Sequence, residues 1–137
     1  MRALFLDPSV LLLAVGGEHP RRDACRRLLG AASRGAVRLH LSVEGGQEFL
    51  FHRLRMTDRD RAVSEFDLVD RLVVWHSFDT AVLHESRDLV ARGVARGRDA
   101  VHAATALTGG FPAIVSPDAD FDGIPGLLRM DPENVTD

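Results

Sequence analysis

Short apolar segments alternate along the chain with longer segments in which apolar residues recur every three or four positions. The short segments are typical of buried strands, which are expected at Ala3–Leu6, Val37–Leu41, Leu72–Trp75, Ala113–Val115 and Leu127–Met130. The longer segments predict helices that begin at Pro8, Arg21, Ser42, Thr57 or Asp58, Phe78 and Asp99. Because strands that alternate with helices favour a parallel sheet covered on both sides, the pattern predicts an α/β fold. We expect a three-layer α/β/α sandwich with a mainly parallel central sheet.

Two of the predicted helices carry apolar residues at helical spacing. The helix after Ser42 presents its face at helical spacing, through Val43, Gln47, Leu50, Phe51 and Leu54. The helix that follows presents Ala62, Val63, Phe66, Val69 and Leu72. Gly45 and Gly46 conflict with the first of these helices, because glycine costs about 1 kcal/mol relative to alanine inside a helix.

Length and composition indicate one globular domain that spans residues 1–137, since 45% of the residues are apolar and 27% are charged. The longest apolar run, Val10–Val15, has six residues, whereas a membrane-spanning helix needs about 20. Asp7 and Pro8 interrupt the position that the apolar stretch of a signal peptide would occupy. Cys25 is the single cysteine, which excludes an internal disulfide and fits a reducing compartment. We therefore expect a cytoplasmic domain.

Four acidic residues from distant segments are expected to meet at the edge of the sheet where ligands of open α/β folds bind. They are Asp7, Glu48, Asp99 and Asp118. Each has an ordinary explanation taken alone, because the aspartates suit helix caps or Asx turns and the glutamate suits a solvated helix face. Together they would repel one another unless a cation lay between them. Oxygen ligands of this kind favour Mg²⁺ or Mn²⁺ over Zn²⁺.

The segments around these acids resemble the PIN-domain family, most closely the VapC-type toxins of bacterial toxin–antitoxin pairs. The resemblance covers about residues 3–131 and rests on four blocks in order, LFLDPSVL (4–11), QEFL (47–50), RDAVHAATAL (98–107) and VSPDADFD (115–122). It implies a Mg²⁺-dependent ribonuclease in which Asp7 and Asp99 are the principal metal ligands. Glu48 and Asp118 match the remaining acids of the site, and Ser9 matches a small hydroxyl residue near the first aspartate.

Two features of the blocks leave the assignment open in detail. Asp122 is a candidate supporting acid, whereas Asp120 is expected to face solvent. The neighbouring glycines leave open whether Glu44 or Glu48 faces the metal, and we favour Glu48 because it directly precedes the apolar pair of its block. His102 lies three residues after Asp99, and we expect it to pack in the core.

Metal-dependent hydrolysis of a phosphodiester would suit this set of residues. A bound Mg²⁺ orients and activates water and offsets charge on the phosphate, and Asp118 or Glu48 would accept the proton. The number of ions is open. The net charge of −3 gives no overall basic character, so phosphate contacts are expected from a local cluster, Arg92, Arg96 and Arg98.

The resemblance also implies partners. It predicts a small cognate antitoxin and a homodimer, and we place the antitoxin surface near Arg21–Leu29 and Gln47–Met56. No aromatic platform for single-stranded RNA is evident, which favours a structured RNA such as a transfer RNA. The alternative is a PIN-like module that has lost catalysis and acts only through partners.

Overall fold

The computed structural model describes residues 1–135, which form strands and helices in the predicted alternation. The strands are β1 (Arg2–Phe5), β2 (Val37–Ser42), β3 (Val73–His76), β4 (Ala113–Val115) and β5 (Leu128–Met130). The helices are α1 (Ser9–Val15), α2 (Arg22–Ser33), α3 (Val43–Met56), α4 (Arg59–Leu72), α5 (Thr80–Ala91) and α6 (Gly97–Thr108). Two 3₁₀ turns follow β4 and β5, at Ala119–Phe121 and Pro132–Asn134. Within residues 1–135, no helix has both the length and the apolar character that a membrane crossing requires.

All the strand pairs of the sheet are parallel. β2 lies between β1 and β3, and β4 pairs with β5. A parallel bridge between Leu6 and Val115 joins the two groups, so the strand order is β3-β2-β1-β4-β5. Because the strands are parallel, their carboxyl ends lie along one edge, and residues that directly follow β1 and β4 become neighbours there.

The two faces of the sheet are covered by different helices. Leu4 and Leu6 of the first strand segment pack into a core with α1, α2, α3 and α4. Phe5, which points the opposite way, packs with residues of α5 and α6. These two cores confirm the predicted three-layer α/β/α sandwich.

The residues that α3 buries differ from the apolar set that marks this helix in the sequence. The structure buries Gly45, Gly46, Phe49 and Arg53, whereas Val43, Phe51 and Leu54 are 38%, 48% and 46% exposed. The reason is close packing of the helix backbone, because a Cβ added at Gly46 would lie 2.8 Å from the Trp75 ring. The glycines that conflict with helix propensity therefore allow α3 to approach β3.

The face predicted for α4 is partly correct. Ala62 and Val69 are buried and Phe66 is half-buried, but Val63 is 47% exposed. Asp58 caps this helix by accepting a hydrogen bond from the backbone N–H of Arg61 at 2.8 Å. The remaining helices begin within about two residues of the predicted positions.

Candidate active site

Three of the predicted acids lie at the carboxyl edge of the sheet. Asp7 follows β1, Asp118 follows β4, and Asp99 lies in the first turn of α6. Asp7 and Asp99 do not cap their helices, since Pro8 and Arg96 occupy the cap positions. Asp118 does cap the 3₁₀ turn after β4, because its Oδ1 accepts the N–H of Asp120 at 2.9 Å.

Asp7 is a buried carboxylate held by two hydroxyl groups. Its side chain is 6% exposed, and its Oδ2 accepts hydrogen bonds from Ser9 Oγ and from Ser116 Oγ, the latter at 2.8 Å. Burial raises the pKa of Asp7, and these two hydrogen bonds partly offset the rise. Ser116 also accepts the N–H of Asp118 at 3.0 Å. This serine therefore connects two of the predicted acids, although nothing in the sequence pattern singled it out.

Asp99 lies beside further carboxylates. One oxygen from each of Asp99, Asp118 and Asp120 lies within 4.8 Å of the others. The pKa of Asp99 is raised to about 6, first by burial and then by the negative charges of Asp7 and Asp118. Asp7 is thus electrostatically part of the same group. Clustered carboxylate oxygens without sulfur ligands suit a hard divalent cation such as Mg²⁺ or Mn²⁺.

Asp120 and Asp122 differ in their surroundings. Asp120 is exposed, as expected, but its carboxylate lies in the cluster with Asp99 and Asp118. Asp122 instead forms an ion pair with Arg129, whose Nε lies 2.8 Å from Oδ1. The geometry therefore places Asp120, rather than Asp122, next to the predicted metal ligands.

The fourth predicted acid, Glu48, is not part of this carboxylate cluster. Its Oε2 lies 2.9 Å from Nε2 of the buried His102, and its Oε1 lies 3.9 Å from a terminal nitrogen of Arg98. The hydrogen bond with His102 is the main reason that the pKa of Glu48 is lowered. Glu44, one turn earlier on α3, is half-buried and lines a polar pocket of about 250 Å³ together with Glu48.

The three arginines predicted to contact RNA surround the beginning of α6. Arg92 ends α5, Arg96 caps α6, and Arg98 lies in the first turn of α6. All three are exposed. Arg96 lines a cavity of about 320 Å³ together with Asp99 and Asp120. Arg96 therefore borders the carboxylate cluster on the side of the α5–α6 connection, whereas Arg98 lies beside Glu48.

Comparisons with known proteins agree with this fold. Residues 4–127 match the PIN domain family. Ribonuclease VapC7 of Mycobacterium tuberculosis is 30% identical over 133 residues, which cover 95% of this chain and 92% of the relative. Ribonuclease VapC13 of the same organism is 28% identical over 129 residues, which cover 93% and 98%.

Solved structures show the same fold at lower sequence identity. One is VapBC2 from Rickettsia felis bound to a promoter DNA fragment, with a TM-score of 0.73 at 17% identity over 93% of this chain and 97% of the other. Another is FitAcB from Neisseria gonorrhoeae, with a TM-score of 0.67 at 16% identity over 96% and 99%.

A parallel sheet with helices on both sides and a carboxylate cluster at its carboxyl edge defines an α/β protein with a candidate metal centre. The chain belongs to the PIN-domain family, which confirms the resemblance seen in its sequence blocks. The relatives named above are VapC ribonucleases.

Proposed function

We propose that this protein is a metal-dependent endoribonuclease that acts as the toxin of a toxin–antitoxin pair. The observation that carries the proposal is the cluster of Asp99, Asp118 and Asp120 at the carboxyl edge of a PIN fold, with the buried Asp7 close enough to raise the pKa of Asp99. Support comes from relatives named as VapC ribonucleases and from structural neighbours described as VapBC or toxin–antitoxin complexes.

The proposed metal ligands are Asp7, Glu48, Asp99 and Asp118, with Asp120 beside Asp99 and Asp118. Asp7 is already fixed by two hydroxyl donors, and the pKa of Asp99 is raised first by burial and then by the negative charges of Asp7 and Asp118. A divalent cation would relieve this repulsion. When bound, Mg²⁺ or Mn²⁺ supplies an activated water and positive charge for the scissile phosphate.

Residues of this chain would accept the proton and hold the substrate. Asp118 is exposed and close to Asp99, while Glu48 has one oxygen that is not hydrogen-bonded to His102, so both remain candidates for the proton acceptor. Arg92, Arg96 and Arg98 would contact phosphates of the RNA, which we propose to be structured, such as a transfer RNA. Ser9 would keep Asp7 in the orientation that the site requires.

The proposed antitoxin would cover the exposed apolar surface of α3. Val43, Phe51 and Leu54 are between 38% and 48% exposed on this helix. A groove of about 340 Å³ beside them is lined by Leu50, Trp75 and other largely apolar residues. Such a surface is typical of a protein–protein contact, and it overlaps the region Gln47–Met56 predicted from sequence. A homodimer and a cytoplasmic location complete the proposal.

Expression in cells tests the proposed role. The wild-type chain should arrest growth and produce discrete new RNA ends, because the carboxylate cluster would be intact. Asp7→Asn should abolish both effects, whereas Asp88→Asn, which changes an exposed aspartate on α5, should retain them. Co-expression of a small protein encoded beside this chain should restore growth and yield a complex on purification. A wild-type chain that leaves growth and RNA unchanged would contradict the toxin assignment.

A further inference from the structure

A chain of hydrogen bonds connects the N-terminal end of α3 to His102 on α6, and His102 to Glu48 on α3. The Ser42 hydroxyl caps α3 by accepting the N–H of Gly45 at 2.9 Å. The same Oγ lies 2.9 Å from His102 Nδ1, and His102 Nε2 lies 2.9 Å from Glu48 Oε2. His102 is 1% exposed, so both ring nitrogens make these contacts out of bulk water.

The hydrogen-bond directions follow from the carboxylate of Glu48, which in its ionised form can only accept. The hydrogen bond with Glu48 therefore requires a proton on Nε2 of His102. In the neutral ring Nδ1 is then an acceptor, and the Ser42 hydroxyl, whose oxygen also accepts the Gly45 N–H, donates to it. The Nε2–H donates to Glu48 Oε2, which leaves only Oε1 of this carboxylate, 3.9 Å from Arg98, for other partners.

Packing alone does not explain a histidine at this position. The neighbouring buried residues on α6 are small and mostly apolar, among them Ala103 and Ala106. A buried imidazole is costly unless its polar atoms are hydrogen-bonded, and here both are bonded, one of them to a site carboxylate. The contacts therefore direct the ring toward Glu48 and fix its orientation.

We infer that His102 is a positioning residue that holds Glu48 at the proposed metal site, and that the Ser42 hydroxyl supports the required tautomer by donating to Nδ1. This inference rests on the proposed metal-dependent nuclease for its effect on catalysis. The tautomer and the contact with Glu48 do not depend on it. Partners of metal-site carboxylates commonly change metal affinity or activity by about 10–100-fold when they are removed.

The first test measures the tautomer in the metal-free, full-length protein. Long-range ¹H–¹⁵N correlation spectra recorded over a series of pH values distinguish a neutral ring with its proton on Nε2 from one with its proton on Nδ1. We expect the Nε2–H form for His102. The Nδ1–H form would overturn the inference, because His102 would then have no proton to donate to Glu48.

The second test compares His102→Gln, which keeps a side-chain N–H donor, with His102→Leu, which removes it. Two readouts are the single-turnover rate of RNA cleavage and the Mn²⁺ concentration that gives half of the thermal stabilisation. His102→Leu should lower the cleavage rate and raise the Mn²⁺ midpoint, each by about 10–100-fold. His102→Gln should remain within about threefold of the wild type in both measurements. Equal losses in both variants would show a merely structural role.

A double-mutant cycle separates positioning from general damage. If His102 acts through Glu48, His102→Leu should cost nothing further in a Glu48→Gln background. Independent losses that multiply would contradict the inference. If His102→Leu fails to fold, the glutamine variant and the tautomer still decide the question. If the wild-type chain cleaves no RNA, the proposed function fails, whereas the tautomer and the Mn²⁺ midpoints still test the role of His102.

Discussion

Replacing Asp99 by asparagine should stabilise the metal-free protein near neutral pH and abolish its stabilisation by metal. The pKa of Asp99 is raised from 3.8 to about 6 by burial and by the charges of Asp7 and Asp118. The folded state therefore binds a proton more readily than the unfolded state. The stability that comes from this proton is fully present below about pH 3.8 and is lost as the pH rises through 6. Asparagine carries no charge at this position, so the variant does not lose this stability as the pH rises.

The magnitude follows from the size of the pKa change. A rise from 3.8 to about 6 corresponds to about 3 kcal/mol in an unscreened site. Because Asp99 is only half-buried, solvent screening reduces the expected gain to about 1–2 kcal/mol. For a chain of this size the gain corresponds to an increase in Tm of about 3–8 °C. Saturating metal should stabilise the wild type by about 2.7 kcal/mol at a hundredfold excess over its Kd.

Thermal and urea unfolding at about pH 7.5 and pH 4 measure both effects, with Asp88→Asn as the matched control. In the absence of metal, Asp99→Asn should be more stable than the wild type at about pH 7.5, and this difference should be much smaller at pH 4. Millimolar Mn²⁺ should raise the Tm of the wild type and of Asp88→Asn, but not that of Asp99→Asn. A wild-type Tm that does not respond to Mn²⁺ or Mg²⁺, or an equal destabilisation of Asp99→Asn at both pH values, would refute the reasoning.

Three further predictions follow from the structure. Replacing Arg92, Arg96 and Arg98 by glutamine in an Asp7→Asn background should weaken RNA binding and reduce the salt slope by about 0.7–0.9 per lost phosphate contact; an unchanged slope in filter binding would exclude these arginines. Gly46→Ala should cost about 1–3 kcal/mol by overpacking against Trp75, whereas Gly17→Ala, where a Cβ meets nothing within 4 Å, should cost much less in urea unfolding. His40 Nδ1 lies 2.9 Å from His76 Nε2, and burial lowers the pKa of both histidines. The stability that these neutral side chains contribute is therefore present above about pH 6.5 and is lost as the pH falls below it. His40→Gln should therefore lose less stability than the wild type between pH 7.5 and 5, and equal losses would contradict this.

The strand and helix order could be predicted because it depends on local patterns. Ala113–Val115, for example, is bounded by Pro112 and Ser116, and its continuous apolar run is typical of a buried parallel strand. The first strand was predicted one residue too late at each end, and Leu6 instead forms the bridge that joins the two parts of the sheet. Periodicity defines elements well and their ends less well.

The buried face of α3 could not be predicted from apolar periodicity. Glycine contributes no side chain to such a pattern, yet Gly45 and Gly46 face the sheet because their small size permits close backbone packing. Val43, Phe51 and Leu54 consequently point outward, whereas Phe49 is buried beside the glycines. A glycine pair within a helix pattern is thus a signal of close approach, which hydrophobic periodicity misreads.

The site was predictable where a residue follows a strand and was missed where the contact is distant in sequence. Asp7 and Asp118 were placed by the ends of their strands. Ser116 contacts Asp7 from 109 positions away, and His102, which we expected only to pack, contacts Glu48 from 54 positions away. Spacing along one helix or strand contains no information about such pairs, which depend on how elements pack across the sheet.

The most direct test of the central claim is the cleavage of RNA by the purified full-length chain as a function of metal concentration. The single-turnover rate for a transfer RNA pool should be undetectable in chelator, should rise with Mg²⁺ or Mn²⁺ to saturation, and should be abolished by Asp7→Asn but not by Asp88→Asn. Cleavage that persists in chelator or in Asp7→Asn would contradict metal-dependent hydrolysis at the carboxylate cluster. A pure wild-type chain that binds its antitoxin but cleaves no RNA at any metal concentration would instead identify a PIN module that acts only through partners.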